Sequence, residues 1–152
     1  MIKIPTELIV FMPLAMGIGV AMATQTAINA QLRDYLHSPI QAAFISFLVG
    51  TLILGVFTLI QQPKFSVEEL SRIPWYLWLG GCLGVYAISM SIYTAPKLGL
   101  LSLTALIIFA QIAMSMLYDH FAWFGSEKIP IDWRRVLGAL TIFVGVILTL
   151  QR

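Results

Sequence analysis

Few residues in this chain could act on another molecule, and most of those are neutral. Gln25 and Asn29 lie four apart inside the polar run Thr24-Gln25-Thr26-Ala27-Ile28-Asn29-Ala30-Gln31, so a helix places them on one face. Gln111 stands deep in an apolar run, far from any end it could reach toward. Ser115 shares its helical face, and Tyr118, Asp119 and His120 follow about two turns on. Tyr86, Ser89 and Tyr93 make a similar series upstream. Amides, hydroxyls and aromatic rings in this pattern suit a cavity wall that offers hydrogen bonds and ring faces, including to cationic groups. The same amides could instead cap helices or hold helices together through interhelical hydrogen bonds.

The residues exclude more than they admit. His37 and His120 fall in separate connections, and no HExxH, GxSxG or glycine-rich phosphate loop is present. Asp119-His120 as a metal or acid–base pair competes with an ordinary helix end. Lone Cys82 forms no internal disulfide and matches no metal spacing. The expectation is therefore a non-enzyme with no cofactor and no metal. A formal charge of +2 gives no reason to expect a nucleic-acid partner. No Asp, Glu, Lys or Arg falls at the middle of an apolar run; Glu7 and Asp119 come nearest. Proton exchange through a central buried carboxylate is thus poorly supported.

The elements that must position these residues are membrane helices. Of 152 residues, 59% are hydrophobic and only 11% charged, and mean hydropathy is +0.90. One soluble core of this size could not hide so much apolar surface. A hydrocarbon layer about 30 Å thick needs roughly 20 apolar residues per helical span. Five such runs are expected, at residues 8–30, 39–59, 74–95, 98–118 and 135–150. The fold class is thus an all-α integral membrane bundle in a single domain, with the lipid bilayer as its main partner. The connection Pro96-Lys97-Leu98-Gly99 separates the third and fourth spans. A short interfacial helix is expected between Lys64 and Arg72, with Ser66 and Glu69 spaced as a capping box. Trp75, Trp78, Trp123 and Trp133 lie near span ends, as an interfacial aromatic belt requires.

The N-terminus also has a second reading. Lys3, the apolar run and Ala21-Met22-Ala23 imitate a cleavable signal, which would leave four spans. Glu7 and an uncharged run that continues to Leu32 favour a retained helix. With five spans, Lys3, Lys64, Arg72, Lys128, Arg134 and Arg135 share the N-terminal side, against Arg33, Lys97 and Arg152 on the other. Positive residues concentrate on the cytoplasmic side, so the N-terminus is expected inside. Small residues recur at close-packing intervals in Gly19-Ala23-Ala27, Ala42-Ser46-Gly50 and Gly80-Gly84. A five-helix bundle is thin for enclosing a solute path alone, which suggests a dimer.

An ordered set of segments resembles the small YdcZ-like proteins, a five-helix branch of the drug/metabolite transporter superfamily. It comprises Gln25-x-x-x-Asn29-x-x-Leu32, Ser38-Pro39, residues 42–51 (AAFISFLVGT), residues 105–111 (ALIIFAQ), Asp119-His120-Phe121, and Pro130-Ile131 ahead of residues 134–138 (RRVLG). The chain departs from that pattern at Ala122, where a glycine is expected directly after Phe121. The resemblance implies export of a small organic metabolite or drug-like solute across a bacterial inner membrane. It also implies importance for Gln25, Asn29, Gln111, Asp119 and His120. Larger relatives join two inverted five-helix halves in one chain, and this chain looks like one half. Its implied partner is a second copy or a related chain, inserted the other way up. The competing expectation is a non-transporting membrane subunit that scaffolds or regulates a partner.

Overall fold

A computed structural model of the protein describes residues 6–61 and 67–150. Among them the regular elements are all helical: α1 (Thr6–Leu36), α2 (Pro39–Gln61), the short α3 (Val67–Ser71), α4 (Leu79–Leu98), α5 (Leu100–Phe121) and α6 (Trp133–Leu150), with 3₁₀ turns at Trp75–Trp78 and Trp123–Gly125. Five helical segments are long and apolar enough to cross a membrane. Their side chains stay largely exposed, as an apolar solvent permits. The chain is an integral membrane protein. It divides into two compact units, Met1–Lys97 and Leu98–Arg152.

In the first unit, α1 carries its hydroxyls through the apolar zone by bonding them to its own backbone. Thr24 donates to the Val20 carbonyl at 2.8 Å, and Thr26 to that of Met22 at 2.9 Å. This removes the cost of an unpaired hydroxyl in hydrocarbon. Helix α1 runs six residues beyond the expected end because Gln31–Leu36 stays helical until His37, which turns into the left-handed region (φ 55°). Ser38 then caps α2 by accepting the Gln41 amide at 3.3 Å, and Pro39 takes the first helical position, where its missing N–H costs nothing. Across this turn Ala42 and Ala43 of α2 and Ile92 of α4 form a small core. Leu32, Leu36 and Ile88 cover it.

The break after α4 is narrower than the expected four-residue connection. Pro96 lies inside the last turn of α4, where it removes one intrahelical bond without reversing the chain. Gly99 alone makes the break, at φ 80°. Lys97 adds to that last turn by stacking its ammonium 3.6 Å from the centroid of the Tyr93 ring. The helix expected between Lys64 and Arg72 is present as α3, with an exposed Glu68–Arg72 pair at 2.6 Å, a contact of little energetic weight. The Ser66–Glu69 capping box lies outside the described residues.

In the second unit, α5 and α6 form an antiparallel hairpin. Phe109 and Phe143 meet at 4.9 Å between ring centroids, and near the far end Ser102 donates to the Thr149 carbonyl at 2.9 Å. Helix α5 ends on Ala122 in the left-handed conformation, φ 53° and ψ 39°. This is where the family resemblance leads one to expect glycine, and the backbone still takes the glycine conformation. Stacking of Phe121 on Trp123 (5.2 Å) and an edge-to-face contact of Tyr118 with Phe124 (5.4 Å) hold the turn despite the Cβ. Ala122→Gly should therefore raise stability by about 1 kcal/mol, and Gly99→Ala should lower it by about 1–3 kcal/mol. Equilibrium unfolding in mixed detergent–SDS micelles, followed by tryptophan fluorescence, checks both signs.

Candidate functional site

The polar residues of α5 are the ones the fold gathers into a site. Gln111, Ser115 and Asp119 recur every four residues, so they form one stripe along α5. Opposite them, Asp132 caps α6: its carboxylate accepts the Arg135 amide at 2.9 Å, and its carbonyl accepts the Val136 amide at 3.1 Å. That cap fixes the start of α6 and sets Arg135, Gly138, Ala139 and Ile142 toward the stripe. Between the two helices lies an open groove of about 380 Å³, with Gln111, Ser115, Asp119 and Arg135 along its polar margin. Ile112, Met116 and Ile142 supply its apolar lining, and the small Gly138 and Ala139 leave the space.

The mouth of the groove is tied down from several directions. Arg135 donates from Nη2 to Asp119 Oδ2 at 3.0 Å, with both side chains about 30% exposed (32% and 29%). The Asp119 carbonyl accepts the Ile129 amide at 2.9 Å. Nδ1 of His120 accepts the Ile131 amide at 3.2 Å, which assigns its proton to Nε2 in the neutral ring. The Ser126 hydroxyl lies 2.9 Å from the Tyr118 carbonyl. Asp119, His120 and Tyr118 thus fasten the α5–α6 loop as well as bordering the groove. Among the described residues, no three His, Cys, Asp or Glu side chains gather as a metal site would require.

The candidates of the first unit separate. Asn29 is buried and donates to Ser46 Oγ at 3.2 Å, bonding α1 to α2. Gln25, one turn earlier, is exposed. Ser89 is buried, and its hydroxyl has no hydrogen-bond partner, whereas Tyr86 and Tyr93 of the same series are exposed. Of the small-residue series, Ala42 is fully buried and Gly84 lies against the Phe47 ring. Ala27 is half-buried and Ala23 exposed. Gly19, Gly50 and Gly80 have open space where a Cβ would stand. A second open cavity of about 360 Å³, lined by Arg33, Asp34, His37, Pro39 and Tyr93, lies beside the α1–α2 turn.

Arg135 is the charged member of the groove that the sequence reading counted only in the basic-residue bias and in the family resemblance. The available signal was Asp132: read as a helix cap, it sets the register that turns Arg135, rather than Arg134, toward α5.

With the groove described, the relationship to known proteins can be stated. The family described as "Putative inner membrane exporter, YdcZ" matches residues 10–148. The chain belongs to the YdcZ family. No curated protein and no solved structure shows a significant match. The YdcZ match runs through both compact units and includes every residue of the groove.

The Asp119–Arg135 pair has a measurable energetic signature in this YdcZ protein. Asp119→Asn and Arg135→Gln should each lower stability by about 1–2 kcal/mol, because each leaves a charge that is about two-thirds desolvated unpaired. The double variant should lose about 0.5–2 kcal/mol less than the sum of the two. A double-mutant cycle of unfolding midpoints in mixed micelles reads this directly.

Proposed function

We propose that this chain is half of an exporter that carries a small organic solute across the inner membrane, working with a second five-span chain by alternating access. The observation that carries the proposal is the polar stripe Gln111–Ser115–Asp119 along an open groove. Gln111 is exposed and lies roughly 15 Å from either end of α5 at 1.5 Å per residue. An unpaired amide at that depth is costly against lipid but useful against water or a solute.

The same reasoning supports a partner chain. Gln25 is exposed on an apolar helix, and one chain leaves nearly all of its span surface uncovered. The superfamily resemblance supports an inverted half as that partner, either the same chain or a relative, with the two halves rocking about a site near the midplane. The bias of basic residues puts the N-terminus and the α5–α6 loop on the cytoplasmic side. The groove mouth at Asp119 and Arg135 then opens where an exporter collects its cargo.

A scaffold or regulatory subunit is the second reading, and the Asn29–Ser46 bond favours it, since there an amide serves only to join helices. Gln111→Leu separates the two. In proteoliposomes screened with a panel of metabolites and drug-like solutes, this variant should reduce flux at least about tenfold while the protein remains folded. Undiminished flux removes Gln111 from the path. Absence of transport for every solute tested favours the scaffold. Cysteine cross-linking against tags at each terminus reads the arrangement, and a strictly parallel pair contradicts the inverted partner.

A further inference from the structure

The groove mouth carries two opposite charges, and this constrains what can bind there. Asp119 bonds Arg135 through Oδ2, and among the described residues no bond to its Oδ1 is formed; Arg135 donates from Nη2 to Asp119 and has its Nη1 3.5 Å from the Ile129 carbonyl. A guanidinium has five N–H donors, so both partners keep bonding capacity beyond their own contact. About one helical turn further in stand Met116 and the small Ala139, with Ile112 and Ile142 about two turns in. The groove, about 380 Å³, lies near the lower limit of small-molecule sites.

We propose that the groove accepts a small zwitterion with an apolar body, the chemistry of an α-amino acid with an aliphatic or thioether side chain. The inference rests on the exporter reading and names its substrate class. The ammonium lies against Asp119 Oδ1, the carboxylate takes free donors of Arg135, and the apolar side chain extends over Gly138 and Ala139 toward Met116. The selection is electrostatic. A solute with only a carboxylate leaves Asp119 Oδ1 without a partner and adds an uncompensated negative charge to a site that is about two-thirds desolvated. A solute with only an ammonium does the converse. A zwitterion adds two charge-assisted contacts to the existing pair and keeps the site neutral. Discrimination against the singly charged solutes thus comes from the net charge each would bring into the site.

Three probes with one isobutyl body test this: L-leucine, leucinamide as the cation, and 4-methylpentanoate as the anion. Binding to the purified full chain in nanodiscs is measured alongside counterflow in proteoliposomes. Leucine should bind at least about tenfold tighter than either analogue. Asp119→Asn should close the gap between leucine and 4-methylpentanoate, and Arg135→Gln the gap between leucine and leucinamide. A purely structural ion pair would instead weaken all three ligands alike in each variant, and that result overturns the proposal. So does equal binding of the three probes by the unaltered protein. Transport of other solutes without leucine binding overturns the substrate class and leaves the exporter standing. No transport of any solute overturns the exporter reading and this inference with it.

Discussion

Within hydrocarbon a polar group has no water to turn to, and every polar atom of this chain must find a partner in the protein or on something that joins it. Most of the chain obeys by local means. Thr24, Thr26, Thr141 and Thr149 donate to carbonyls three or four residues back on their own helices. Asn29 reaches Ser46, and Ser102 reaches the Thr149 carbonyl. Against that background the exposed amides of Gln25 and Gln111 stand out, as does the buried, unbonded hydroxyl of Ser89. A helix that spans lipid alone does not keep such groups cheaply. They are intelligible where water, solute or a second chain completes them.

The second unit concentrates this logic. Asp119 stabilises the loop through its carbonyl and faces the groove through its carboxylate, so one residue couples loop geometry to the charge at the mouth. Asp132, Ser126 and His120 fix the same loop through backbone contacts. The guanidinium of Arg135 is therefore held in place before any solute arrives, which reduces the ordering cost of binding. Small residues at Gly138 and Ala139 matter for the space they leave between the helices. Membership in the family described as "Putative inner membrane exporter, YdcZ" is consistent with a solute-binding role for that space.

Much of the fold was legible because hydropathy acts over long windows. Five apolar runs became five helices, and α2 starts at Pro39, where the second run was expected to start, since a proline at the first helical position acts through local geometry. Features that depend on one backbone angle were less visible. Pro96 reads as a helix stop, yet it sits inside α4, because the decisive element is the positive φ at Gly99. The site was legible in part. The stripe Gln111–Ser115–Asp119 followed from a period of four. That Arg135 completes it required the register of α6, and that Asn29 is buried while Gln25 is open required the position of α2. Spacing says which residues share a face; it does not say what lies opposite.

The account depends on the polar stripe of α5 meeting water rather than lipid. Site-directed thiol labelling measures this in a Cys82→Ala background, because maleimides react with the thiolate and so require water at the sulfur. A membrane-impermeant maleimide should label Gln111→Cys and Ser115→Cys from the side of the α5–α6 loop. Leu148→Cys, at a position 63% exposed on the apolar α6, should stay unlabelled in lipid. Failure of Gln111→Cys to react from either side of the membrane would contradict the account.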